Sequence, residues 1–117
     1  MRLEFRTPVL RVRLTKSRIV VALHNSVHIF AFSVPPQKLS VFDTADNPLG
    51  LLCLGQKVVV FPGRSPGQAQ LVELESGNVS IIPSHNSPLR TLALSPDGAL
   101  LATASEMVSV ADCSLLG

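Results

Sequence analysis

The sequence predicts an all-β chain made of β-propeller blades, each a sheet of four antiparallel strands of the WD-repeat type. Three observations lead there. Pro8, Pro48 and Pro88 recur at intervals of forty residues. Each is followed by an apolar run, a short polar turn and a second β-rich run at the same offset. Four short strands per ~40 residues, with no competing period of 3.6, is the pattern of propeller blades rather than of helices.

The elements follow in order. In the first unit, 8–47, the runs are 9–14, 19–23, 27–32 and 38–42. In the second, 48–87, they are 49–54, 57–61, 69–74 and 78–82. The third, 88–106, supplies 89–94 and 100–104, and 107–117 reads as a divergent tail. Val, Ile and Phe at alternating positions suit a pleated, half-buried surface. The separators are turn chemistry: His24-Asn25-Ser26, Pro35-Pro36-Gln37, Gly63-Arg64-Ser65-Pro66-Gly67 and Glu75-Ser76-Gly77-Asn78. Asp97-Gly98 offers the left-handed glycine that a tight hairpin needs. The count is two full blades and about half of a third. A propeller closes with 4–8 blades, so the expectation is a fragment of a larger ring, or a chain that borrows blades from a partner.

Composition narrows the classes. Of 117 residues, 46% are hydrophobic and 15% charged, which excludes a disordered segment. Residues 1–18 carry six basic side chains against Glu4 alone, yet the whole chain has a net charge of only +2. That balance gives no reason to expect a nucleic-acid partner; the basic start reads as a solvated strand face. Cys53 and Cys113 lie far apart and make no disulfide framework, which points to a reducing compartment with Cys53 as a small core residue. The start lacks the apolar centre of a secretory signal. Residues 19–37 hold no formal charge, but His24, Asn25, Ser26 and His28 inside them are costly in hydrocarbon and mark a turn between strands.

Several segments resemble the PROPPIN family, WD-repeat proteins that bind phosphoinositides in autophagy. They are 42–51 (Phe-Asp-Thr-Ala-Asp-Asn-Pro-Leu-Gly-Leu), Val60-Phe61-Pro62-Gly63 with 67–72, Ile82 to Leu89 around His85, and Leu101-Ala102-Thr103-Ala104-Ser105-Glu106. The likeness covers roughly 5–106 and, within the family, is greatest to the WIPI three- and four-like members. It implies a seven-bladed parent. After Glu106 the likeness stops: the Lys-Gly-Thr segment and the Arg-Arg-Gly motif, whose arginines serve two phosphoinositide pockets in the family, are absent from 107–117. A splice, frameshift or gene-model boundary there is the expectation.

By that resemblance His85, Thr103 and Ser105 form a partial phosphoinositide site. Thr103 and Ser105 alternate on one strand and so share a face. Hydroxyls and an imidazole suit phosphate oxygens, though guanidinium forks supply most of the strength. The plainer alternative is that the three form an intra-blade hydrogen-bond network of the WD-repeat kind. His24 and His28 have no third ligand nearby, so no metal is expected. No Gly-x-Ser-x-Gly elbow or acidic pair accompanies His85, and the Gly63–Gly67 loop lacks the ending of a phosphate-cradling loop, so neither an enzyme nor a cofactor is expected. The resemblance implies a cytoplasmic adaptor, peripherally attached to phagophore, endosomal or vacuolar membranes through phosphatidylinositol 3-phosphate or 3,5-bisphosphate. It would recruit lipid-transfer or conjugation factors. The competing expectations are a plain WD-repeat interaction scaffold and a truncated product without function.

Overall fold

A computed structural model describes residues 2–83 and 85–105, and the backbone of 112–115. Eleven strands, and no helix, occur among the described residues. β1 (Arg11–Leu14), β2 (Arg18–Ala22), β3 (Ser26–Ala31) and β4 (Gln37–Asp43) form one antiparallel sheet in that order. β5 (Cys53–Leu54), β6 (Val58–Pro62), β7 (Gln68–Glu73) and β8 (Val79–Pro83) form a second. β9 (Leu89–Leu94), β10 (Leu100–Ser105) and β11 (Asp112–Leu115) form a third, with β10 in the middle. The first strands lie side by side: β1 packs on β5, and β5 on β9.

The central strands show why the apolar runs are continuous. In β2, Val20 and Ala22 face the second sheet, where they meet Leu52, Val59, Phe61 and Val72. Ile19, Val21 and Leu23 point the other way and are covered by Phe30, Leu3 and Phe5. A strand buried on both faces has no polar alternation to show. The same holds for β6, whose Val59 and Phe61 face the first sheet while Val60 joins Ala69, Leu71, Leu89 and Leu101 against the third. β1 and most of β4 and β8 are exposed.

Two expectations shift. The run 49–54 is a strand only at Cys53–Leu54. Asn47 takes over the residues before it: its Oδ1 accepts from the Leu51 N–H at 2.9 Å and its Nδ2 donates to the Leu51 carbonyl at 3.2 Å. The Gly50 N–H closes the turn on the Asn47 carbonyl at 3.1 Å, with Gly50 at φ 63°. A side chain that mimics a backbone partner holds the chain in a turn and delays the ladder. The second shift concerns the tail. Asp112–Leu115 adds a third strand beside β10, pairing Thr103 with Asp112 and Leu100 with Leu115. An unpaired strand edge takes up an extended neighbour.

Asn47 is 2% exposed, and its loss leaves the half-buried Leu51 N–H and carbonyl without their side-chain partner. Asn47→Ala is expected to lower the free energy of unfolding by about 2 kcal/mol, read from the urea midpoint. Asn47→Asp keeps the acceptor but buries a charge and sets an oxygen against the Leu51 carbonyl, so it should cost at least as much. A midpoint unchanged in Asn47→Ala would show that the bonds to Leu51 contribute nothing.

His28 lies on the covered face of the first sheet, edge-on to Phe5 at 5.1 Å, with Nε2 3.1 Å from the Ser26 hydroxyl. Burial, and then the Lys38 charge, hold its pKa below the ordinary histidine value. The folded state therefore prefers the neutral ring. This contribution is intact above the ordinary value of about 6.5 and is lost as pH falls through the lowered one. Urea midpoints of the chain should decline between pH 7.5 and 5 more steeply than those of His28→Leu. Parallel declines would remove His28 from the explanation.

Candidate functional site

One end of the sheets gathers the loops after β2, β4, β6 and β8. Backbone bonds tie them together: Thr44 N–H to Asn25 O at 2.9 Å, Ala45 N–H to Gly63 O at 2.7 Å, and His85 N–H to Gly67 O at 3.0 Å. Gly67 has φ 86°, and a Cβ there would fall on the His85 carbonyl. The β6–β7 loop can approach the β8–β9 connection this closely only because residue 67 is glycine.

That contact fixes where His85 points. Its Nε2 lies 3.0 Å from the Thr103 hydroxyl of β10, so the two residues are joined across the second and third sheets. Thr103 is 2% exposed and Ser105 5%, while Ala102 and Ala104 beside them are more open. The alternation thus places both hydroxyls on the face turned to the second sheet. Ser105 Oγ is buried and has no hydrogen-bond partner among the described residues. A β-bulge sits beside it, between Ala104 and Ser105. A buried hydroxyl without a partner costs free energy until an acceptor or donor reaches it. The His85 ring is half-buried, and Arg64 and Arg90 in this part of the chain are exposed.

The remaining candidates separate. His24 Nε2 approaches Asp46 Oδ1 at 3.3 Å, whereas His28 faces the opposite side of the first sheet with Phe5. No group of three His, Cys, Asp or Glu that could hold a metal occurs among the described residues. A small cavity of about 150 Å3 between the loops is lined by Asp46, Pro62, Ser65, Gly67, Pro88 and Leu89 with their neighbours. Cys53 is half-buried on the core between the second and third sheets; burial pushes its thiol pKa up. A raised thiol pKa disfavours the reactive thiolate.

Sequence reasoning missed Gln70. It is 5% exposed, and its Oε1 is buried without a partner among the described residues. A lone amide inside the apolar run Ala69-Gln70-Leu71-Val72 was the available signal.

No protein-family model matches the chain. Individual relatives do. SVP1-like protein 2 of Emericella nidulans is 77% identical over 104 residues, covering 89% of this chain and 33% of that protein. Autophagy-related protein 18e of Arabidopsis thaliana is 34% identical over 108 residues, covering 88% of this chain and 28% of that protein. Among solved structures, Hsv2 of Kluyveromyces lactis superposes with a TM-score of 0.87 at 20% identity, covering 98% of this chain and 37% of that one. Kluyveromyces marxianus Hsv2 gives 0.86 at 19% identity, covering 98% and 35%. These superpositions establish the propeller fold. The chain spans about a third of the length of the first of these relatives. The resemblance seen in segments 42–51, 60–72, 82–89 and 101–106 thus extends along the chain in sequence and in fold, and the chain belongs to the PROPPIN family of β-propeller proteins.

Proposed function

We propose that the chain is part of a non-enzymatic β-propeller adaptor in autophagy, and that the whole propeller reads phosphatidylinositol 3-phosphate or 3,5-bisphosphate on cytoplasmic membrane faces. The single observation that carries this reading is the 77% identity to SVP1-like protein 2 over 104 of the chain's 117 residues. A second relative bearing the name autophagy-related protein 18 supports the process. At the site, the Ser105 hydroxyl, without a partner among the described residues, and the His85–Thr103 pair are groups that a phosphate oxygen can engage. The paired arginines expected of the family lie in no part of this sequence, so headgroup affinity belongs to a longer propeller. Lipid-transfer or conjugation factors are the protein partners this reading implies. Phagophore, endosomal and vacuolar membranes are its sites.

The test is a chimera in which this chain replaces the matched 104 residues of the Emericella nidulans relative. The chimera should float with liposomes containing phosphatidylinositol 3-phosphate and stay down with phosphatidylcholine alone. Ser105→Val should weaken that binding roughly tenfold, the worth of one hydrogen bond to a charged group. No flotation at any phosphoinositide content would reject the lipid reading.

The His85–Thr103 bond favours a second reading, a structural tie inside a protein-interaction scaffold, because it already occupies one imidazole nitrogen. Replacing both partners by apolar groups, His85→Phe with Thr103→Val, should leave stability nearly unchanged. If flotation also survives in that double variant, the pair is structural. If flotation is lost while the fold stands, the pair serves the headgroup.

A further inference from the structure

Val34, at the tip of the β3–β4 hairpin, is 92% exposed, the most open of the large apolar side chains among the described residues. Phe32 and Leu39 on either side of it are 44% and 45% exposed, and Pro35 and Pro36 complete the tip. Single exposed apolar residues are ordinary, but a cluster of them marks a contact surface. The tip also has little backbone left to hydrate. The Phe32 N–H donates to the Ser17 carbonyl and the Ser33 N–H to the Ala31 carbonyl, both at 3.0 Å. The Ser33 hydroxyl donates to the Pro35 carbonyl at 2.8 Å. Pro35 and Pro36 have no N–H at all. From 32 to 36, only the Val34 N–H lacks an acceptor among the described residues. The charge around the tip is of one sign. The bond from Phe32 sets it beside the β1–β2 turn, where Lys16 is exposed, and exposed Lys38 follows on β4. From Phe5 to Phe42 the chain has six basic residues and no acidic one. The carboxylates at this end, Glu73, Glu75 and Asp97, belong to the second and third sheets.

We infer that the β3–β4 hairpin inserts its tip into the interface of an anionic lipid bilayer. Phe32, Val34 and the two prolines leave water for the boundary of the acyl chains, which repays the apolar area they expose. Unpaired backbone donors are costly in hydrocarbon, and the internal bonds and prolines of the tip leave only one to satisfy. Lys16 and Lys38 stay at the level of the headgroups, where a negative surface attracts them. The hairpin lies at the end of the sheets opposite to the loop that carries His85. It needs surface charge and no particular headgroup, so the inference does not rest on the phosphoinositide reading.

The chain has no tryptophan and no tyrosine, so Val34→Trp places a single indole at the tip. Its emission should shift to the blue, and its quenching by acrylamide should fall, when vesicles of equal parts phosphatidylcholine and phosphatidylserine are added. Vesicles of phosphatidylcholine alone should give a much smaller shift. In the chain without the indole, Lys38→Gln should weaken co-sedimentation with the mixed vesicles about fivefold, the worth of one basic residue near an anionic surface. Val34→Asp should abolish it, and its urea midpoint should match that of the parent because the side chain is exposed. Val79→Asp, on exposed β8 of the second sheet, should bind vesicles as the parent does. An indole that stays in water, full binding by Val34→Asp, or equal binding with and without phosphatidylserine would each overturn the inference. So would a blue shift that grows with protein concentration and needs no vesicles, because the tip would then cover a second copy of the chain. Binding that appears only on adding phosphatidylinositol 3-phosphate, with the indole unmoved, would reject the insertion and leave the headgroup reading standing.

Discussion

Gly67→Ala is expected to cost about 3 kcal/mol or more and to uncouple the third sheet from the second. The left-handed backbone at φ 86° accounts for about 1–2 kcal/mol of that with any L-side chain. The rest comes from what the new methyl would strike. It would fall on the His85 carbonyl and lie 2.9 Å from the Ser87 carbonyl oxygen, both backbone atoms that cannot rotate away. The β8–β9 connection must then move, which breaks the His85 N–H bond to Gly67 and carries the imidazole off Thr103. Gly77 is the control: it has φ 79°, yet an added Cβ there meets nothing within 4 Å. Gly77→Ala should lose only about 1 kcal/mol. Urea midpoints of the two variants give the comparison, and similar losses would refute a role for the close approach at Gly67.

Phe61→Ala carries the other large effect, about 3–5 kcal/mol. Phe61 is fully buried at the centre of the core between the first two sheets, with its ring centroid 5.5 Å from that of Phe42. Truncation leaves a cavity that two sheets held by their own ladders cannot close. Phe32→Ala is the contrast, because Phe32 is 44% exposed after β3, and it should shift the midpoint by less than about 1 kcal/mol. A small domain has only about 5–15 kcal/mol in all. Phe61→Ala should therefore show a shallow or absent cooperative transition at 37 °C. A midpoint unchanged from the parent would mean that this core does not hold the two sheets together.

The propeller was legible because its signal is periodic. The prolines at 8, 48 and 88 mark the approach to β1, β5 and β9, and each apolar run with its turn repeats the same physical demand. The short β5 was not legible. Leu49-Gly50-Leu51-Leu52 reads as strand by composition, and only the bonds of Asn47 to Leu51, a contact between side chain and backbone, override it. The pairing of Asp112–Leu115 with β10 was hidden for another reason: it depends on an open edge elsewhere in the chain, and no local pattern reports that. At the site, alternation in β10 was enough to put Thr103 and Ser105 on one face. It could not say that His85 reaches the Thr103 hydroxyl and not that of Ser105, since that depends on the bulge after Ala104 and on the Gly67 contact. Gln70 escaped because buried amides are recognised by their surroundings.

The strand registers put Val21, Phe61 and Thr103 in equivalent places, and the forty-residue spacing does the same for Phe5, Ala45 and His85. Around Val21 and Phe61 the first two units are apolar, with Phe5 packed on the cluster of Val21 and Leu23 and Phe42 against Phe61. The third unit uses a polar pair and a hydroxyl that has no partner among the described residues. The seam at Thr103 therefore carries a polar tie beside its apolar cluster, and it is expected to open before the Phe61 core. Native-state hydrogen exchange should release the amides of β9 and β10 through a low-energy sub-global opening, while β2, β3, β6 and β7 exchange together only when the whole chain unfolds. The residues proposed to meet a phosphate would then sit on the first part of the chain to open.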